Sequence, residues 1–363
     1  LYHLNAEEEP ETYFYPRDPA FHKRFAPRGV IRSYADGKIE DTGPLTRKRM
    51  ETVDQEFTDA ALKFIDKAHR DDKPFFVWFN ATRMHVWTRL APEWDGASGY
   101  GLYADGLMEH DHHVGQLLDK LDDLGISDNT IVVYSTDNGA QTSTYPDAGV
   151  EPFRGEKGST WEGGFRVPAL IRWPGVVKPG RVINDMFSHL DWMPTLLAAA
   201  GEPGIGQKLL QGHRAGDRTY KVYLDGYDQT ELLAGKGPGQ RQTLYYFDDN
   251  ANFNALRWGD WKIHFAVMPE GWSGQREPLN FPRLVHLRSD PYEVSLDSGM
   301  YTRFFADQLW LFVPVQQEVG RWLGTFREYP PRQATASFTI DRMMQQMQQM
   351  LQMRARGGPP GQG

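Results

Sequence analysis

Three short, unbroken apolar runs constrain this chain most: residues 75–79 (Phe-Phe-Val-Trp-Phe), 131–134 (Ile-Val-Val-Tyr) and 167–171 (Val-Pro-Ala-Leu-Ile). Runs of that length without polar alternation suit strands buried on both faces. The segments around them carry a helical period. Val53, Phe57, Ala60, Ala61, Phe64 and Ile65 predict a helix over residues 51–70, ended by Lys73-Pro74. Leu107, Val114, Leu117, Leu118 and Leu121 share one face of a second helix over 100–124, with Gly125 at its C-cap. Asp191 reads as the N-cap of a third helix over 192–200, with Pro194 in the first turn and Gly201 past the end. Strands alternating with helices predict an α/β sandwich around a large mixed, mostly parallel sheet flanked by helices.

Beyond residue 240 the pattern changes. Short strand candidates at 243–247, 255–258, 261–265 and 284–287 are separated by turns, and Gly259-Asp260 between two of them signals a hairpin. Residues 309–326 read as a helix. This divides the chain into an α/β domain over 1–240, a small α+β subdomain over 241–340 and a tail over 341–363. The tail alternates Met and Gln across 343–353, the pattern of a soft terminal helix. Residues 1–50 are irregular in pattern apart from a short ribbon around 31–39.

The 363 residues carry a formal net charge of −8 and no long basic run before the tail, which argues against nucleic acid as the main partner. There are no cysteines, so disulfides, zinc–thiolate sites and cysteine catalysis are excluded within the chain. No apolar stretch approaches the ~18 residues that a membrane-spanning helix needs. The first residue is Leu1, and no basic segment followed by an apolar one comes after it; the expectation is a chain that begins inside a larger protein.

Three places carry candidate chemistry. Asp137-Asn138-Gly139 follows a buried strand at its C-terminal end, the edge where ligands gather in open α/β sheets. An adjacent carboxylate and carboxamide oxygen suit a hard cation, Ca²⁺ or Mg²⁺; the same residues also suit a plain turn. Lys157 lies between Gly155 and Gly158, with Gly163 and Gly164 close behind. A lysine on such a loop can reach a tetrahedral anion as a point charge, or simply be solvated. His85 sits just after the 75–79 run, where a histidine can hold an anion or protonate a leaving group, or pack as structure. His110, His112 and His113 read as a helix face packed on the sheet, and His189 as structural. Trp87, Trp94, Tyr100 and Tyr103 suit either a substrate mouth or packing.

Taken together these segments resemble the sulfatase family of the alkaline-phosphatase superfamily. The resemblance rests on TIVVYSTDNGA at 130–140, FRGEKGSTWEGGFRVPALIRWPG at 153–175, SHLDWMPTLLAAAG at 188–201 and HLRSDPYE at 286–293, in that order. It implies an alkaline-phosphatase-like fold and hydrolysis of an aryl or small alkyl sulfate monoester. It further implies that Asp137 and Asn138 ligate a divalent cation, usually Ca²⁺, that Lys157 binds the sulfate, and that His85 contacts sulfate and helps protonate the leaving oxygen. The family's nucleophile is a formylglycine made in a Cys/Ser-x-Pro-x-Arg motif, and no such motif occurs here. Nor do the paired aspartates that complete the metal site, or the upstream Lys–His segment. The expectation is therefore a chain truncated at its N-terminus and inactive alone. A phosphodiesterase or phosphonate-ester hydrolase of the same superfamily, and a non-catalytic binding module that keeps the fold, remain as alternatives.

Overall fold

The computed structural model describes residues 16–25, 29–86, 88–148, 152–271 and 274–330. Trp87, residues 1–15 and the Met/Gln segment at 343–353 lie outside the described residues. The chain forms two compact units. One comprises Leu1–Thr130 and Gln141–Gly149, the other Ile131–Ala140 and Val150–Gly363.

The first unit contains α1 (Pro19–Phe25), β1 (Gly29–Ser33), β2 (Ile39–Pro44), α2 (Arg47–Met50), α3 (Val53–Arg70) and α4 (Leu102–Asp123). The expected ribbon is present: β1 and β2 pair antiparallel. Val30, Leu45, Met50 and Val53 form a small core with Phe57 against it. The two long helices lie where their periodicity places them, and Gly125 (φ +67°) follows the end of α4.

The buried face of α4 differs from the apolar stripe in its sequence. Asp105, Gly106, Glu109, His113 and Leu121 are buried, whereas Leu107 is exposed. Asp105, Glu109 and His113 are four residues apart and share one side of the helix. Polar groups occupy it because partners are supplied there. Asp105 accepts the Gly96 and Ser98 N–H groups, and Glu109 binds Arg83. Within this unit α4 packs on α3, where Gln55 and Gln116 pair their carboxamides and Gln116 also contacts His112.

Residues 75–79 do not form a strand. The segment has no regular secondary structure, and no other described residue pairs with its backbone. Phe76 and Trp78 point outward, 71% and 79% exposed, while Phe75, Val77 and Phe79 are half-buried. An apolar run supplies the side chains of a strand, but the ladder needs a second chain segment alongside.

The second unit runs β3 (Val132–Ser135), α5 (Glu162–Phe165), β4 (Ala169–Arg172), α6 (Trp192–Ala199), α7 (Ile205–Gln211), β5 (His213–Ala215), β6 (Arg218–Tyr220), α8 (Thr230–Ala234), β7 (Thr243–Phe247), β8 (Phe253–Trp258), β9 (Trp261–Val267), β10 (Glu277–His286), α9 (Tyr301–Asp307) and α10 (Phe312–Glu328). The mixed α/β composition matches the expected class, and every ladder among the described residues is antiparallel. The Gly259-Asp260 hairpin forms as expected, with Trp258 opposite Trp261 and Gly259 at φ +58°. Asp191 stands at the N-cap position of α6 as expected, but its side chain makes no cap hydrogen bond there. Its carboxylate turns back to accept the Ser188 N–H and binds Arg241 through both oxygens, at 2.9 and 2.6 Å.

The four-stranded sheet, ordered β10-β9-β8-β7, has two unlike faces. Leu256, Ile263 and Leu284 pack with Leu311 and Val315, and Tyr245 stacks on Trp322 of α10 at 4.2 Å. On the other face Trp161 packs with Val267, Val285 and Leu287. Segments on both sides of residue 240 thus share one core, and the compact units divide elsewhere than at 240/241.

Candidate functional site

β3 ends at Ser135, whose hydroxyl donates to the Pro168 carbonyl at 2.8 Å. The chain then turns through Thr136, Asp137 and Asn138. Asp137 is exposed and Asn138 half-buried. The Asn138 carboxamide donates to the Gly139 carbonyl at 3.1 Å, which commits its nitrogen and leaves its oxygen as the acceptor end. His189 Nε2 donates to the Thr136 carbonyl at 2.8 Å, so this histidine braces the residue before Asp137.

The glycine loop is joined to this strand end by backbone. The Gly139 N–H donates to the Gly164 carbonyl at 3.1 Å, and the Lys157 N–H donates to the Ala140 carbonyl at 3.0 Å. The approach is close enough that a methyl group on Gly139 would overlap the Gly163 carbonyl oxygen. Gly155 and Gly158 stand on either side of Lys157 at φ +79° and +78°, a region that L side chains enter only at steric cost. The structure therefore brings Asp137, Asn138 and Lys157 together within one unit.

A buried charge cluster lies beneath the loop. Glu162 Oε1 accepts from Tyr246 Oη at 2.8 Å and Lys262 Nζ at 3.0 Å, and its Oε2 accepts from Arg166 Nε at 2.7 Å. Glu293 Oε1 lies 3.1 Å from Lys262 Nζ and accepts from His264 Nε2 at 2.7 Å; its Oε2 accepts the Glu162 N–H at 2.7 Å. Burial alone would raise the Glu162 carboxyl, but Lys262 and Arg166 outweigh it and hold it at about 2. Burial likewise opposes ionisation of Glu293, and Lys262 and His264 bring its carboxyl below the ordinary value. Desolvation pushes His264 down, its Nε2 faces Glu293, and its buried Nδ1 has no partner among the described residues.

His85 belongs to the other unit. It closes a turn in which its N–H donates to the Thr82 carbonyl at 3.0 Å. Asp54 accepts the N–H groups of Thr82 and Arg83, and the Arg83 guanidinium binds Glu109 in a fork at 3.0 Å. The His85 carbonyl accepts from the Thr88 hydroxyl at 2.7 Å and from the Tyr145 hydroxyl. Its Nδ1 contacts the Val86 carbonyl at 3.3 Å. Burial raises Glu109 despite Arg83, and it lowers His110 and His113. Trp94 rests on His112 and Tyr103 on Tyr145, whereas Tyr100 is 84% exposed.

For a divalent cation, Asp137 and Asn138 supply two adjacent oxygen donors of the hard type that Ca²⁺ takes. Among the described residues no group of three or more His, Cys, Asp or Glu is placed to hold a metal. The pair fits as part of a coordination shell. Sequence reasoning missed the Glu162–Lys262–Glu293 cluster. The available signal was Lys262 and His264, two polar residues two apart on the inward face of an otherwise apolar strand.

The sulfatase family model matches residues 7–202. Arylsulfatase A of Homo sapiens is 36% identical over 203 residues, 54% of this chain and 37% of its own length. N-acetylgalactosamine-6-sulfatase of Canis lupus familiaris is 30% identical over 305 residues, 78% of this chain and 55% of its own length. The chain thus spans about half or less of these relatives. A crystal structure of a sulfatase from Pseudoalteromonas sp. aligns with a TM-score of 0.75 at 28% identity, covering 86% of this chain and 61% of that one. Asp137, Asn138, Lys157 and His85 all fall inside the family match, and Lys262 and Glu293 fall beyond it.

Proposed function

The chain belongs to the sulfatase family and has its alkaline-phosphatase-like α/β fold, and on that premise we propose that its whole protein hydrolyses an aryl or small alkyl sulfate monoester. In this reading Asp137 and Asn138 are ligands of a divalent cation, Ca²⁺ or Mg²⁺. Lys157 holds the sulfate as a fixed positive charge. His85 contacts the sulfate and delivers a proton to the departing oxygen. The cation, when bound, would neutralise sulfate charge and favour attack at sulfur. The observation that carries the reading is the Lys157 N–H bond to the Ala140 carbonyl, which joins the loop of the anion-binding lysine to the strand end of the oxygen pair.

A direct test is the acylation rate of Lys157, followed by peptide mass spectrometry. Inorganic sulfate with Ca²⁺ should protect Lys157 in the 363-residue chain. Asp137→Ala should remove the part of the protection that depends on Ca²⁺. Unprotected Lys157 at any sulfate concentration would refute the assignment. Since the chain contains neither cysteine nor a Cys/Ser-x-Pro-x-Arg motif, we expect it to leave 4-nitrophenyl sulfate intact on its own. Turnover at a sulfatase-like rate would overturn that expectation.

A further inference from the structure

The HLRSDPYE segment contributes no candidate ligand or acid, yet its last residue reaches the loop of Lys157 from 131 positions away. We propose that Glu293, which ends the Asp290-Pro291-Tyr292-Glu293 turn, is a positioning residue for Lys157: its buried carboxylate takes the Glu162 N–H and fixes the glycine loop from below. The role rests on the reading of Lys157 as the sulfate contact.

Three observations support it. The first is the identity of the partners. The Glu162 N–H, His264 Nε2–H and Lys262 ammonium are all donors, and all converge on the Glu293 carboxylate. Only an acceptor-only group satisfies the three at once; a carboxamide would turn its own N–H₂ against one of them. Secondly, the backbone of Glu293 sits at φ +55°, in the left-handed region, and the residue is fully buried. A non-glycine residue persists there only where its surroundings over-determine it. Asp290 contributes to this by accepting the Val294 and Ser295 N–H groups at 3.0 and 2.8 Å.

The third observation is the placing of the contacts along the loop. The Glu293 carbonyl accepts from Arg154 Nη1 at 3.0 Å, and the same guanidinium reaches Asp297 at 2.9 Å and lies over the Trp161 ring. Arg154 precedes Lys157 and Glu162 follows it. One residue of the turn therefore ties down both sides of the segment that presents the lysine. Phe153 and Tyr292 add a ring contact at 5.8 Å on the Arg154 side.

The test compares the wild-type 363-residue chain with Glu293→Gln and Arg154→Ala. Hydrogen exchange is followed across residues 152–166, with β8 and β9 as the internal reference. Glu293→Gln is expected to speed exchange of the 157–164 amides by about tenfold while β8 and β9 keep their protection. Arg154→Ala should loosen the same segment to a smaller extent. The inorganic sulfate concentration that half-protects Lys157 from acylation should rise by about tenfold in Glu293→Gln. Unchanged exchange in both variants overturns the proposal, and so does an equal rise in β8 and β9, which marks general loosening. If Glu293→Gln does not fold, Arg154→Ala decides: wild-type exchange in the loop rejects the role. Failure of sulfate to protect wild-type Lys157 rejects the sulfate reading and leaves the exchange result standing by itself.

Discussion

The Arg83 cluster and the Lys262 cluster each hold a loop that carries a candidate catalytic group, and burial raises the carboxyls of both, yet Glu109 ends above its ordinary value and Glu162 below it. In the first unit one guanidinium serves both Asp54 and Glu109, and Glu109 is left above the ordinary carboxyl range. In the second, Lys262 faces both Glu162 and Glu293 and Arg166 adds a second cation on Glu162, which falls to about 2. Both sets of carboxylates are buried. The number of cations that share the pocket decides the outcome, because desolvation penalises every charge whereas Coulomb attraction rewards only paired ones.

The largest effect expected from this contrast is that of Lys262→Met. Removing the ammonium leaves Glu162 with Arg166 and Glu293 with His264 as side-chain partners and should cost about 3–5 kcal/mol in urea unfolding. A cost below about 1 kcal/mol would show that the cluster is not held by charge and would break the comparison.

The next effect is in pH. Glu162 has a folded pKa of about 2 against the ordinary 4.5, so between those values the unfolded state binds more protons. Its contribution is complete above pH 4.5 and is lost as pH falls toward 2, on the order of 3 kcal/mol. Glu109 has the opposite sign. Its folded pKa lies above 4.5, so the native state binds the extra proton there and stability falls as pH rises through that window. Denaturation at a series of pH values should therefore show the acid limb flattened in Glu162→Gln and the slope above pH 4.5 removed in Glu109→Gln. The same slope change in both variants would erase the distinction between the clusters.

Gly139→Ala separates the backbone joint from the cluster beneath it. The added methyl must displace the Gly163 carbonyl, at a cost of about 1–3 kcal/mol. Exchange of the Lys157 amide should rise while that of β8 and β9 holds. The smallest expected change is Asp137→Ala. This exposed residue lies outside both clusters, so stability should move by less than about 0.5 kcal/mol while calorimetry records loss of Ca²⁺ binding. Unaltered Ca²⁺ binding would remove Asp137 from the metal site.

Much of the local structure was readable in the residues. The periodicities of α3 and α4, the Gly259-Asp260 hairpin and the positive φ at Gly155 and Gly158 follow from side-chain spacing and the absence of a Cβ. The glycines around Lys157 indicated close backbone approach, and the structure supplies it at Gly139 and Gly163. The turned-back Asp191 was not legible, since its partner Arg241 lies 50 residues further on. The unpaired 75–79 segment was misread for a related reason. An apolar run records that side chains avoid water, not which backbone lies alongside.

By itself the sequence determined the α/β class, the helices, the turns and the identity of Asp137, Asn138, Lys157 and His85 as candidates. These properties depend on neighbours within a few residues or on motifs in order along the chain. Tertiary structure alone decided that Lys157 is joined to the Asp137 strand end and that Glu293 and Lys262 hold its loop. Those contacts span up to 139 residues, and such a contact leaves no periodic mark in the chain.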